Sequence, residues 1–202
     1  MIEPFKSPLY ITKPLLPDIY EINEIIKSIW DSNQLTNNAG MVKRLERDLA
    51  GFLGADYLSV FSSGTTALEI AYKILRLSGE VITTPFTFAA TITSLMWNNL
   101  KPVFCDIEED TLNINPDKIE ALITKDTTAI MPVHVFGNPC NAEKIQQIAD
   151  KYNLSVLYDA AHAFGVKTGG KSVSSFGDVS MLSFHATKVY HTIEGGALVY
   201  NK

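Results

Sequence analysis

Apolar runs of four or five residues recur along this chain, each bounded by turn residues and mostly separated from the next by a segment with helical apolar spacing. Runs over Tyr57–Phe61, Glu80–Thr83, 102–106, 129–133, Ser155–Asp159, Val179–Ser183 and 197–200 read as strands. Helices are expected over 17–30, 41–53, 67–77, 116–123 and 142–152. Strands apolar on both faces need helices on both sides, so the pattern predicts an α/β fold with a mainly parallel sheet flanked by helices. The 202 residues, 46% of them hydrophobic and 19% charged, suffice for one substantial core. No internal repeat, low-complexity tract or interdomain linker interrupts them.

Composition narrows the function classes. A formal net charge of −5 without a dense Lys/Arg cluster argues against a nucleic-acid surface, so an anionic ligand would need local donors. Cys105 and Cys140 are too few for a disulfide framework and suit a reducing, cytoplasmic setting. The segment Met1-Ile2-Glu3-Pro4-Phe5-Lys6 has no apolar signal core, and secretion is not expected. The uncharged stretch 81–100 contains Pro85, several threonines and Asn98-Asn99, which predicts a strand, a loop and a soluble helix rather than a membrane span.

In open parallel sheets, functional side chains collect beyond the carboxyl ends of the strands. Residues 62–65, 84–88, His134, Asp159 and 183–188 all follow predicted strands. Asp159 closes one strand and Lys188 lies beyond a later one. Together they supply two groups that pyridoxal phosphate chemistry requires, a carboxylate for the ring nitrogen and an amine for the Schiff base. Each also has a plainer reading, Asp159 as a turn or cap residue and Lys188 as a solvated lysine. However, Lys188 sits in the otherwise uncharged stretch 179–193, where desolvation would lower its pKa and make it a useful nucleophile.

Gly64 and Thr65 lie where a strand joins a helix, so free N–H groups and the positive helix end could hold a phosphate; a Ser/Thr cap explains the same residues. Ser183 is either a further phosphate donor or a strand-end hydroxyl. His162 could contact the cofactor ring or be a satisfied core histidine. No Walker loop or serine-hydrolase elbow is present. His185 and His191 are six apart and His134 and His162 lie on separate loops, so no metal site is expected.

Several further motifs occur in one order. They are Leu35-Thr36-Asn37-Asn38, Ser63-Gly64-Thr65-Thr66-Ala67-Leu68, Thr84-Pro85-Phe86-Thr87-Phe88, Pro132-Val133-His134-Val135-Phe136-Gly137, Asp159-Ala160-Ala161-His162 and Ser183-Phe184-His185-Ala186-Thr187-Lys188. With them the chain resembles the DegT-type (DegT/DnrJ/StrS) sugar-nucleotide aminotransferases over nearly its whole length, and within them enzymes that aminate a dTDP-4-keto-6-deoxyhexose.

The resemblance implies residues 1–202 as part of the large domain of a pyridoxal-phosphate enzyme of fold type I, with a seven-stranded-type sheet. It implies a homodimer with active sites near the subunit interface, a nucleotide-sugar substrate and an amino-acid donor, glutamate by expectation. Lys188 would carry the Schiff base, Asp159 the pyridinium contact and His162 a ring-oxygen contact. Gly64, Thr65 and Ser183 would hold the phosphate, and Phe88 would stack on the ring where some relatives have Trp or Tyr. Thr36, Asn37 and Asn38 would lie in a loop close to the substrate or the neighbouring subunit. Family members continue beyond the Glu194-Gly195-Gly196 turn into a smaller C-terminal domain, so about half of the usual protein is expected to be missing here. Two alternatives stay open: a sugar dehydratase on the same scaffold, which replaces the lysine by histidine and which Lys188 speaks against, and a catalytically silent truncated subunit.

Overall fold

A computed structural model describes residues 7–201. The segment Met1 to Lys6, read above for the lack of a signal core, lies outside the described residues, as does Lys202.

The chain runs α1 (Ile19–Ser32), α2 (Gly40–Leu53), β1 (Tyr57–Phe61), α3 (Gly64–Ile74), β2 (Glu80–Thr83), α4 (Ala89–Trp97) and β3 (Lys101–Phe104). After two single-turn 3-10 segments come β4 (Thr127–Ile130), α5 (Ala142–Tyr152), β5 (Ser155–Asp159), a short hairpin of β6 (Lys167–Thr168) and β7 (Lys171–Ser172), β8 (Val179–Ser183) and β9 (Gly196–Tyr200). Seven strands form one sheet in the order β1-β9-β8-β5-β4-β2-β3. The pairs β2 with β3, β2 with β4, β4 with β5 and β5 with β8 are parallel, whereas β9 is antiparallel to both of its neighbours. Six strands therefore point one way, and their carboxyl ends share one edge.

Alternate residues along each strand feed opposite faces, and both faces are buried. Val81, Leu157, Val179 and Met181 pack under α3 and α4 with Leu68, Tyr72 and Leu95. Ile82, Ile130, Val156 and Tyr158 pack under α5 with Ile145 and Ile148. Leu182 and Val199 meet Leu49 and Leu53 of α2. Burying a side chain of this size contributes roughly 1.5–3 kcal/mol, which is why the central strands tolerate so few polar residues.

Ala67 and Ala71, both fully buried, let α3 lie close on the sheet. The approach is tightest where α3 begins: a Cβ on Gly196 would stand 2.5 Å from the Gly64 nitrogen and 2.6 Å from the Ser63 carbonyl carbon. Gly64 in turn rests on β8, where a Cβ would meet Met181 Sδ at 3.0 Å and Ser183 Cβ at 3.1 Å. Glycine at both positions lets the strand-to-helix turn sit directly on the sheet edge.

The expected helix over 116–123 is a correction. Pro116–Lys118 and Glu120–Leu122 are separate 3-10 turns, with Asn115 capping the Asp117 N–H. Eight residues with Pro at the start and β-branched Ile119 and Ile123 repay the cost of α-helix nucleation poorly. Other boundaries shift by a few residues. The helix expected over 17–30 runs over Ile19–Ser32, with Asp18 as its cap, accepting the Tyr20 N–H at 2.7 Å. The expected helix over 67–77 starts three residues earlier, at Gly64, because Ser63 caps it. Stretch 81–100 is strand, loop and helix as read, and no helix among the described residues is long and apolar enough to cross a membrane. The β6–β7 hairpin was not anticipated; Gly169 and Gly170, both at positive φ, form its turn.

Candidate active site

A cavity of about 630 Å³ opens at the common carboxyl edge, within the range of small-molecule sites. Among the residues lining it are Gly64, Thr65, Phe88, Asp159, His162, Ser183 and Lys188. Seven of the ten candidate site residues thus converge from β1, β2, β5, β8 and the segments after them. Thr36, Asn37 and Asn38 do not line it; they lie exposed between α1 and α2, with Asn38 in the left-handed region at φ 60°.

Asp159 ends β5 and is buried. Its backbone is held on one flank by the segment after β4, since its N–H donates to the Pro132 carbonyl at 2.9 Å and its own carbonyl accepts the His134 N–H at 3.0 Å. On the other flank Ala160 N–H donates to Met181 O at 2.9 Å. The carboxylate accepts the Ala161 N–H on Oδ1 at 3.1 Å and the Thr91 hydroxyl on Oδ2 at 2.8 Å. Burial pushes its pKa up, opposed by those two bonds and by the proximity of His162 and Lys188.

Lys188 lies on the excursion from β8 to β9, a loop held by Phe184 N–H to Gly195 O at 2.8 Å, Ala186 N–H to Ile193 O at 2.9 Å and Lys188 N–H to His185 O at 2.9 Å. Desolvation lowers the pKa of its amine, and Asp159 opposes the shift. The half-buried His162 is likewise held low by burial and by Lys188, against Asp159. Its ring lies parallel to that of Phe136, with centroids 6.0 Å apart.

At the start of α3, Ser63 Oγ accepts the Thr66 N–H at 3.1 Å. The first intrahelical bond runs from Ala67 N–H to Ser63 O, so the Gly64 and Thr65 N–H groups precede it and have no partner within the helix; both residues line the cavity. Ser183 stands opposite, at the end of β8. The anticipated cap is present at Ser63, and Gly64 and Thr65, expected at a phosphate, line the cavity beside it. Phe88 caps α4 and is 74% exposed, with its face free to meet a ring in the cavity. A carboxylate at the floor, a desolvated amine and an anion cradle can together hold a planar, basic, phosphorylated heterocycle and move a proton beside it.

Residue-by-residue reading missed Thr91 and gave Phe136 no role. Thr87 and Thr91 are one helical turn apart immediately after the β2 loop, a spacing that would have put two hydroxyls on one face. Phe136 carried only the signal of its neighbour Gly137; both adopt positive φ, 51° and 86°. Among the described residues no group of three or more His, Cys, Asp or Glu could hold a metal ion.

Comparison with known proteins identifies the family and the fold. The DegT/DnrJ/EryC1/StrS aminotransferase family matches residues 18–202. The dTDP-4-amino-4,6-dideoxy-D-glucose transaminase of Shigella dysenteriae is 54% identical over 196 residues, 97% of this chain and 53% of its own length. The crystal structure of DesI in the presence of its TDP-sugar product superposes with a TM-score of 0.95 at 37% identity, covering 98% of this chain and 50% of that one. NtdA of Bacillus subtilis, with bound cofactor PMP, gives a TM-score of 0.82 at 29% identity over 98% of this chain and 47% of its own. The chain spans about half the length of the curated relatives it matches.

Proposed function

The chain belongs to the DegT/DnrJ/EryC1/StrS aminotransferase family, and from that premise we propose that it binds pyridoxal phosphate and moves an amino group from an amino acid, glutamate by preference, to a nucleotide-linked keto-deoxysugar of the dTDP-4-keto-6-deoxyhexose type. The observation that carries this reading is the convergence of Asp159, Lys188 and the α3 N-terminus on one cavity. The donor set suits the cofactor. A buried carboxylate faces where a pyridine nitrogen would lie, an amine of lowered pKa suits an aldehyde, and Gly64, Thr65 and Ser183 suit a phosphate.

When bound, pyridoxal phosphate supplies an electron sink and an aldehyde carbon that carries the amino group. Asp159 holds the ring nitrogen's proton, because a carboxylate in a low-dielectric site favours a cation beside it. Lys188, an amine of lowered pKa, would hold the cofactor's aldehyde carbon and would serve as the base that moves a proton beside it. His162, kept neutral, donates to or accepts from the ring oxygen, and Phe88 covers the ring face. Thr36, Asn37 and Asn38 we assign to substrate contact across a subunit interface. A homodimer is supported by the large exposed apolar side chains Trp30, Phe88, Val189 and Ile193. Residues 1–202 are read as the N-terminal part of the large domain, acting in the cytoplasm, which the two free buried cysteines suit.

The test is addition of pyridoxal phosphate followed by borohydride and peptide mapping. The reading expects a stable adduct on Lys188 that Lys188→Ala abolishes, with some non-covalent cofactor binding left through Asp159 and the Gly64-Thr65 turn. An adduct that persists in Lys188→Ala on another lysine would overturn it.

A further inference from the structure

The Asp159 carboxylate is not alone on the cavity floor. Thr91, in the first turn of α4 and 1% exposed, reaches it across 68 positions of sequence with an Oγ1 to Oδ2 distance of 2.8 Å. Behind it, Thr87 Oγ1 stands 2.7 Å from Thr91 Oγ1. A carboxylate only accepts, so Thr91 must donate its one hydroxyl proton to Asp159, and Thr87 must then be the donor to Thr91. The chain Thr87 to Thr91 to Asp159 therefore has one polarity. Each hydroxyl is polarised toward the carboxylate, which strengthens the last bond. Thr91 is itself anchored, because its carbonyl accepts the Ser94 hydroxyl at 3.3 Å and Ser94 meets the Tyr72 hydroxyl at 2.8 Å.

With Ala161 N–H on Oδ1 and Thr91 on Oδ2, the carboxylate plane is held from both oxygens. Without these donors burial would favour the neutral acid, which cannot stabilise a protonated ring nitrogen. We propose that Thr91, backed by Thr87, is a positioning residue that orients the Asp159 carboxylate and keeps it anionic, so that the site selects a ligand whose ring nitrogen carries a proton. This rests on the cofactor reading above and deepens it: the preference for a pyridine nitrogen originates partly on α4, outside the Asp159 loop.

The experiment compares, in the purified full-length protein, dissociation constants of pyridoxal phosphate and of its 1-deaza analogue, in which C–H replaces the ring nitrogen. Phosphate, aldehyde and Lys188 contacts are common to both. Wild type should prefer pyridoxal phosphate. Thr91→Val keeps the β-branched shape and removes only the hydroxyl; it should weaken pyridoxal phosphate about tenfold, the size of one charge-assisted hydrogen bond, and leave the analogue within about twofold. Thr91→Ser should restore the preference. Thr87→Val should act in the same direction by about threefold, half that energy or less, and carries the test if Thr91→Val does not fold. Equal loss for both ligands, or no loss for either, would make Thr91 merely structural and overturn the proposal alone. A wild type that binds both ligands equally would instead remove Asp159 as the ring-nitrogen partner, and the cofactor reading would fall with it.

Discussion

Replacing His134 by Asn should remove the part of the folded chain's acid sensitivity that comes from this buried imidazole. His134 is 1% exposed, its ring stacked on Tyr158 with centroids 4.7 Å apart, and its Nδ1 accepts the Cys140 N–H at 3.0 Å. That bond places the proton on Nε2, which has no protein partner. Burial pushes the pKa from 6.5 down to about 4. Between those values the unfolded chain binds a proton that the folded chain refuses, so stability rises with pH. It is fully present above about pH 7 and lost progressively to about pH 4, below which both states are protonated. At 1.36 kcal/mol per unit the loss comes to about 3 kcal/mol, or roughly 6–12 °C in Tm for a chain of this size. Asn can still accept the Cys140 N–H through its side-chain oxygen but cannot titrate, while losing the ring stack costs the same at every pH. Urea unfolding from pH 8 to 4 should therefore show the variant less stable at high pH, with the gap shrinking by about 3 kcal/mol on acidification. A gap that stays constant across that range would refute a neutral buried His134.

Asp159→Asn should raise the Tm of the cofactor-free protein near pH 8. A carboxyl with a raised folded pKa loses stability as pH rises, and the amide escapes that loss while still accepting from Ala161; a lower Tm at pH 8 would contradict it. The same variant should bind pyridoxal phosphate without supporting transamination, read by single-turnover absorbance. Gly196→Ala should cost about 1–3 kcal/mol in urea unfolding, because its Cβ would press on Ser63 and Gly64 backbone that cannot move without shifting α3. Ser63→Ala should cost about 1 kcal/mol and Ser63→Gly only a few tenths, because glycine is itself tolerated at an N-cap; a Ser63→Ala variant as stable as the wild type would show that the cap bond is not what matters.

The alternation of doubly buried strands with helices was legible in the residues, because covering both faces of a sheet forces a run of apolar side chains that no single-faced strand needs. So was the placement of the candidate groups: Asp159 after an apolar run, Lys188 in an uncharged stretch and glycine at the start of α3 all follow strands, and the structure brings them to one cavity. What depends on approach through space was not legible. Gly196 has ordinary backbone angles for any residue, and only the backbone of Ser63 and Gly64 lying against it makes glycine obligatory. Thr91 is one hydroxyl among several until the packing of α4 on the sheet brings it to Asp159. His134 carries no mark of its neutral state until burial against Tyr158 removes water from it. The 3-10 turns over 116–122 belong to the same class, since a short segment of mixed propensity takes its conformation from where its ends are held. Sequence determined which groups this chain has and which edge of a sheet they occupy. Tertiary structure decided which of them touch, because hydrogen bonds and desolvation fall off within a few ångströms and depend on neighbours that the order of residues does not name.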